Sequence, residues 1–160
     1  MNSFRILSLS MLALLLSPAT GNLVSAQPGP EYETIEQQVF SLVNRQRQTQ
    51  KLLPLSMKET ISALCLQHSR NMAKGLLPPG HQGIEGRIRA IQSPVHVLAY
   101  FENIAVSRGY KDRARDAVAG WMKNSEQRKA IHGDYDLTGI GVAMSSDSTY
   151  YITQIFIKSR

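Results

Sequence analysis

Four histidines, His68, His81, His96 and His132, and one cysteine, Cys65, are the side chains here best suited to metal binding, proton transfer or nucleophilic attack. A neutral imidazole ligates zinc or exchanges a proton near neutral pH. A carboxylate beside it orients the ring or moves a proton from bound water. Cys65 falls on an apolar stripe with Ile61, Leu64 and Met72, which marks it as a packing residue rather than a nucleophile. His68 shares that stripe and is expected to be a core histidine with a hydrogen bond. Ser69 follows His68 directly, but neighbours on a helix point about 100° apart, so the two do not form a hydrolase triad. His96, two residues after Pro94, is expected in a surface loop. A lone cysteine excludes an intramolecular disulfide framework and a Cys-rich zinc module.

The elements that must position these groups fit one domain. The chain has 160 residues, 42% of them apolar and 19% charged, enough to bury a core. Its formal charge of +6 is spread along the sequence without a nucleic-acid motif, so no nucleic-acid partner is expected. The basic run Arg108, Lys111, Arg113 and Arg115 reads as a solvated face; its functional reading is attraction to anionic envelope polymers or headgroups, screened by salt. Residues 1–26 have the parts of a secretory signal: Arg5, an uncharged apolar run over 6–16 too short to span a bilayer, and small side chains at Val24-Ser25-Ala26. No membrane-spanning segment is expected after cleavage, and the protein is expected to be secreted or periplasmic.

Residues 27–34 read as a linker, because Pro28, Gly29 and Pro30 oppose a helix. The spacing of Ile35, Val39, Leu42 and Val43 predicts an amphipathic helix over about 32–48. Ser56-Met57-Lys58-Glu59 has the form of a capping box opening a second helix that runs to Lys74, with Gly75 as its stop. Ile84, Ile88 and Ile91 predict a short helix, 95–106 a strand, and Ala114, Ala117, Val118 and Trp121 a helix opened by Asp112. Residues 138–144 and 149–157 read as strands joined by a polar turn. Gly139 and Gly141 alternate with Ile140 and Val142, which predicts close packing on the glycine face. The pattern is α+β, with helices enclosing a small, largely antiparallel sheet.

Several motifs resemble the CAP superfamily, the SCP-like relatives of cysteine-rich secretory proteins, antigen 5 and plant pathogenesis-related proteins. His68-Ser69-Arg70-Asn71-Met72 resembles the family's H-S-x-D-M, and Val43-Asn44-Arg45-Gln46-Arg47 its V-N-x-x-R. Leu52-Leu53-Pro54-Leu55 is similar to G-L-x-P-L, and Glu102-Asn103-Ile104-Ala105 matches E-N-I-A throughout. Trp121-Met122, the 139–143 segment and 150–156 fit as well. The resemblance covers about residues 35–157 and implies a three-layer α-β-α sandwich over a single domain, 35–160, in a bacterial branch without disulfides.

Many members carry two histidines and two acids in a cleft, and some bind zinc there. By resemblance the first histidine is His81 and the first acid Glu102. The second histidine, six residues past the tryptophan, is replaced by Gln127, and the second acid by Asn124. An amide oxygen is a poor zinc ligand, and His132 is five residues further, on a different helical face. No metal and no cofactor are therefore expected. The resemblance implies a secreted, non-catalytic binding module for a lipid, sterol or cell-envelope ligand. That ligand would sit near His81, Glu102, Asn103 and Gln127, or in an apolar groove between helices. The alternative is a hydrolase with Glu102 as base and His81 positioning water.

Overall fold

The computed structural model describes residues 30–92 and 95–160, with side chains from residue 35 onward. The expected signal peptide and the start of the linker lie outside these residues. Helix α1 (Pro30–Thr49) begins earlier than the sequence pattern predicts. Pro30, expected in a non-helical linker, is its first residue, a position where the missing N–H costs nothing. Ile35, Val39 and Val43 recur every four residues and are buried.

Strand β1 (Ser56–Met57) follows, and here the capping-box reading fails. Ser56 is extended and pairs in parallel with Leu137. Helix α2 (Glu59–Ala73) instead has Lys58 at its N-cap, with no side-chain cap bond. The Ser56 N–H donates to Asp136 O and the Lys58 N–H to Thr138 O, each at 2.8 Å. Those sheet bonds hold the segment straight and take the place of a local cap. At the other end Gly75, with φ of +70°, closes α2 as expected.

Helix α3 (Ile84–Gln92) leads to strand β2 (Val97–Ser107). Helix α4 (Arg113–Lys123) is capped by Asp112, which accepts from the Arg115 N–H at 2.9 Å. Helix α5 (Ser125–Ile131) is capped by Asn124, and strands β3 (Leu137–Met144) and β4 (Tyr150–Ser159) complete the chain. The sheet order is β1-β3-β4-β2, antiparallel except for β1–β3, so β2 is an edge strand.

Alternation along β3 and β4 divides the core between the two faces of the sheet. Ile140, Val142, Ile152 and Phe156 join α1, α4 and α5 in one cluster, including buried Trp121. Ile155 and Ile157 join Ile61 and Cys65 of α2 and Ile88 and Ile91 of α3 in the other. The result is the α-β-α sandwich. Gly139 and Gly141 lie against α2, where a β-carbon would collide with the helix backbone at Ile61–Ser62 and Cys65–Leu66. Cys65 Sγ and Ser69 Oγ use that closeness to donate to Gly139 O (3.3 Å) and Gly141 O (2.9 Å).

Arg47 fastens the other layer. It is 2% exposed, and its guanidinium donates to Leu53 O, Ile131 O, Gly133 O and Tyr135 O at 2.8–2.9 Å. One side chain thus binds the end of α1 to the segment after α5.

Candidate functional site

Cross-strand partners share a face, so the sheet separates Glu102 from its neighbour Asn103. Glu102 lies opposite Ile155 on the α2–α3 face, and Asn103 opposite Gln154 on the other.

The Glu102 side chain is 2% exposed, and both carboxylate oxygens are occupied. Oε1 accepts from His81 Nδ1 at 2.9 Å and Oε2 from Arg87 Nη2 at 2.6 Å. A buried carboxylate persists in a core only when it is paired in this way. Arg87 reaches in from α3, and its Nη1 donates to Gln82 O at 2.8 Å and to His68 Nδ1 at 3.1 Å. A guanidinium only donates, so His68 Nδ1 is the acceptor and His68 Nε2–H donates to Gly80 O at 2.8 Å. Burial, reinforced by Arg87 and opposed by the Gly80 bond, holds the His68 imidazole below its ordinary pKa. A carboxylate only accepts, so the proton between His81 and Glu102 sits on His81 Nδ1. In the neutral ring Nε2 is then the free nitrogen, on a side chain 59% exposed.

Sequence reasoning missed Arg87. The signal was present: with Ile84, Ile88 and Ile91 on one helical face, residue 87 falls on that face too.

Asn103 and Gln127 come together on the opposite side of β2. Asn103 Nδ2 donates to Gln127 O, and Gln127 Nε2 donates to Ile104 O, each at 3.2 Å. Ile104 O also accepts from Trp121 Nε1 at 3.0 Å. The four expected binding residues thus form two pairs, His81 with Glu102 and Asn103 with Gln127, with no hydrogen bond between the pairs among the described residues.

The remaining candidates lie outside both pairs. His132 closes α5 through its backbone N–H, while its ring Nε2 is buried without a partner among the described residues; burial, then Arg128 and Arg47, lower its pKa. Burial pushes the Cys65 thiol well above its ordinary pKa. Ser69 gives its only proton to Gly141 O, leaving Thr153 to donate to Ser69 Oγ at 2.8 Å. His96 is exposed ahead of β2. In the basic run, Arg108 pairs with Asp147, Arg115 with Asp112, and Arg113 stacks on the Tyr150 ring.

The zinc that the family resemblance brings into question does not fit this donor set. Both Glu102 oxygens and the His68 Nδ1 lone pair already face donors, and the amide at Gln127 is turned to a backbone carbonyl. Among the described residues no group of three His, Cys, Asp or Glu is placed to hold a metal ion.

A second feature runs along the outside of α1. A cavity of about 510 Å³ lies between α1 and the start of α4, with Leu42, Arg45, Asp112 and Arg115 in its wall. Two further hollows share Arg45, one toward Leu52 and Pro54, the other toward Val118, Ala119 and Met122. The main cavity is walled mostly by polar side chains, Gln37, Gln38 and Ser41 beside the two arginines and Asp112, and the apolar side chains Val118, Ala119 and Met122 belong to the adjoining hollow. Asp112 engages Arg115 at 2.9 Å, whereas Arg45 makes no hydrogen bond or ion pair among the described residues. Its volume falls within the range of small-molecule sites, about 300–1,000 Å³.

Comparison with known proteins agrees with this architecture. The model of the CAP cysteine-rich secretory protein family matches residues 40–156. Among solved structures, an outer surface protein of Borrelia burgdorferi is similar at a TM-score of 0.68 and 15% identity, covering 80% of this chain and 95% of that one. An extracellular protein with an SCP domain from Bacillus anthracis gives 0.64 at 23% identity, over 84% of this chain and 45% of that one. A Staphylococcus aureus cysteine-rich secretory protein gives 0.62 at 16%, over 82% and 40%. This chain therefore spans less than half of the latter two proteins. A search of curated proteins finds no match. Among the described residues no helix is long and apolar enough to cross a membrane.

Proposed function

The chain belongs to the CAP family of cysteine-rich secretory proteins, and from that premise we propose that it is a secreted, non-catalytic binding module for a lipid-type ligand carrying a negative charge. One observation carries this reading: Arg45, which makes no hydrogen bond or ion pair among the described residues, borders the hollow lined by Leu42, Val118, Ala119 and Met122. A carboxylate or phosphate headgroup would pair with Arg45, and its hydrocarbon would cover Leu42, Val118 and Met122. The extracellular or outer-surface character of the Bacillus and Borrelia proteins supports secretion. In this reading His81, Glu102, Asn103 and Gln127 brace α3 and α5 against β2, and the ligand lies on the other helices.

The test is displacement of a fluorescent fatty acid by oleate. The wild type is expected to bind, and Arg45→Glu to weaken binding on the order of tenfold, the scale of losing one ion pair and gaining a repulsion. Binding that is absent in the wild type, or unchanged in Arg45→Glu, would overturn the assignment.

A second reading, a hydrolase, is favoured by the exposed His81 ring held by Glu102 at 2.9 Å. With both Glu102 oxygens occupied, the base would be His81 Nε2 and Glu102 its orienting partner. It requires turnover of an ester or peptide panel by the wild type that disappears in His81→Gln without loss of fold.

A further inference from the structure

We infer that Arg87 is the resident cation of the Glu102 cluster, a tethered side chain doing the electrostatic work of a bound ion. Three acceptors converge on its fork: Glu102 Oε2 at 2.6 Å, Gln82 O at 2.8 Å and His68 Nδ1 at 3.1 Å. A carboxylate oxygen on Nη2 and, on Nη1, a carbonyl oxygen and an imidazole lone pair are acceptors that favour positive charge. The guanidinium supplies that charge without needing a ligand count or a coordination geometry.

Charge and position both favour this assignment. Glu102 is a buried carboxylate and His68 a neutral ring. Among the described residues, Arg87 is the only cationic side chain bonded to that carboxylate apart from the titratable His81. Arg87 also lies on the face of α3 that buries Ile88 and Ile91, where a cation without an anionic partner would be expelled. Its Nε–H is buried and unpartnered. The guanidinium is thus oriented by Glu102 and His68, even at the expense of one of its own donors. The site is complete as folded, and chelation should leave it unchanged.

The experiment compares wild type, His81→Ala, Arg87→Met, Arg87→Lys and the double variant Arg87→Met/Glu102→Gln. Thermal unfolding is recorded in EDTA and in zinc chloride, and zinc uptake is measured by titration calorimetry. The wild type is expected to take up no zinc and to unfold at one temperature in both media. Arg87→Met should unfold on the order of 10 °C lower in both, because it strands a buried carboxylate. Glu102→Gln in that background removes the stranded charge and should recover on the order of 5 °C of the loss. Arg87→Lys, which keeps the charge, should lose less than Arg87→Met. Zinc uptake by the wild type that His81→Ala abolishes would overturn the inference, as would an Arg87→Met protein as stable as wild type. A double variant no more stable than Arg87→Met would also overturn it, by reducing Arg87 to a packing residue.

Discussion

Replacing Arg47 with methionine keeps most of the aliphatic stem and removes every donor of the fork. Four carbonyls then lose a charged partner: Leu53, Ile131, Gly133 and Tyr135. A hydrogen bond from a charged donor contributes about 1.5–3 kcal/mol net, and three of these four are only partly buried, so water repairs some of the loss. The low end of the range applies, giving a destabilisation of about 4–6 kcal/mol. Burial lowers the Arg47 pKa, so part of this gain offsets the cost of holding the charge in the protein. Native stabilities are about 5–15 kcal/mol, so Arg47→Met should sit near the edge of folding and unfold on the order of 15 °C lower. Urea titration followed by the fluorescence of Trp121, the single tryptophan and a buried one, reads this directly. Arg47→Lys should recover a minority of the loss, because an ammonium is a point donor and the four carbonyls surround a planar fork. A stability for Arg47→Met within about 1 kcal/mol of wild type, or a lysine variant equal to wild type, would refute the reasoning.

Gly141→Ala should cost more than about 3 kcal/mol, the upper end for ordinary overpacking, because the new methyl meets the backbone of α2 and not a side chain that turns aside. A loss under about 1 kcal/mol in urea would show that α2 can lift away from β3. The His68 imidazole has its folded pKa below its unfolded one, so the unfolded chain binds the extra proton. Its contribution is therefore complete above the ordinary histidine pKa, about 6.5, and is lost as pH falls below it. Stability measured from pH 8 to 5 should fall less steeply in His68→Gln than in wild type; equal slopes would contradict the buried neutral ring.

Much of the fold was legible because the decisive signals were local. The alternation of Gly139 and Gly141 with Ile140 and Val142 announced close packing on one face of β3, and the stripe Ile61, Leu64, Cys65, His68, Met72 announced a helix. That the two meet, with α2 seated on the glycines, came only from the structure. The error at Ser56 has the opposite cause: serine and glutamate three apart satisfy a local rule, but Leu137, distant along the chain, pairs with Ser56 first. The site was legible only in halves. His81 and Glu102 were correctly associated through the family motifs, whereas nothing in the motifs said that adjacent Glu102 and Asn103 would be separated by the sheet. Arg87 was hidden because an arginine on a short polar helix has the look of a solvated side chain. Only its phase relative to Ile84, Ile88 and Ile91 distinguishes it.

The carbonyl of Ile104, shared by the indole of Trp121 and the amide of Gln127, guards the rim of the sheet. An unprotected rim strand is a template on which a second molecule can add its own backbone and begin a fibril. A foreign strand approaching β2 at this point must first displace two side chains that already hold the acceptor it needs. The same two bonds that tie α4 and α5 to the sheet thereby make lateral polymerisation through this position unfavourable.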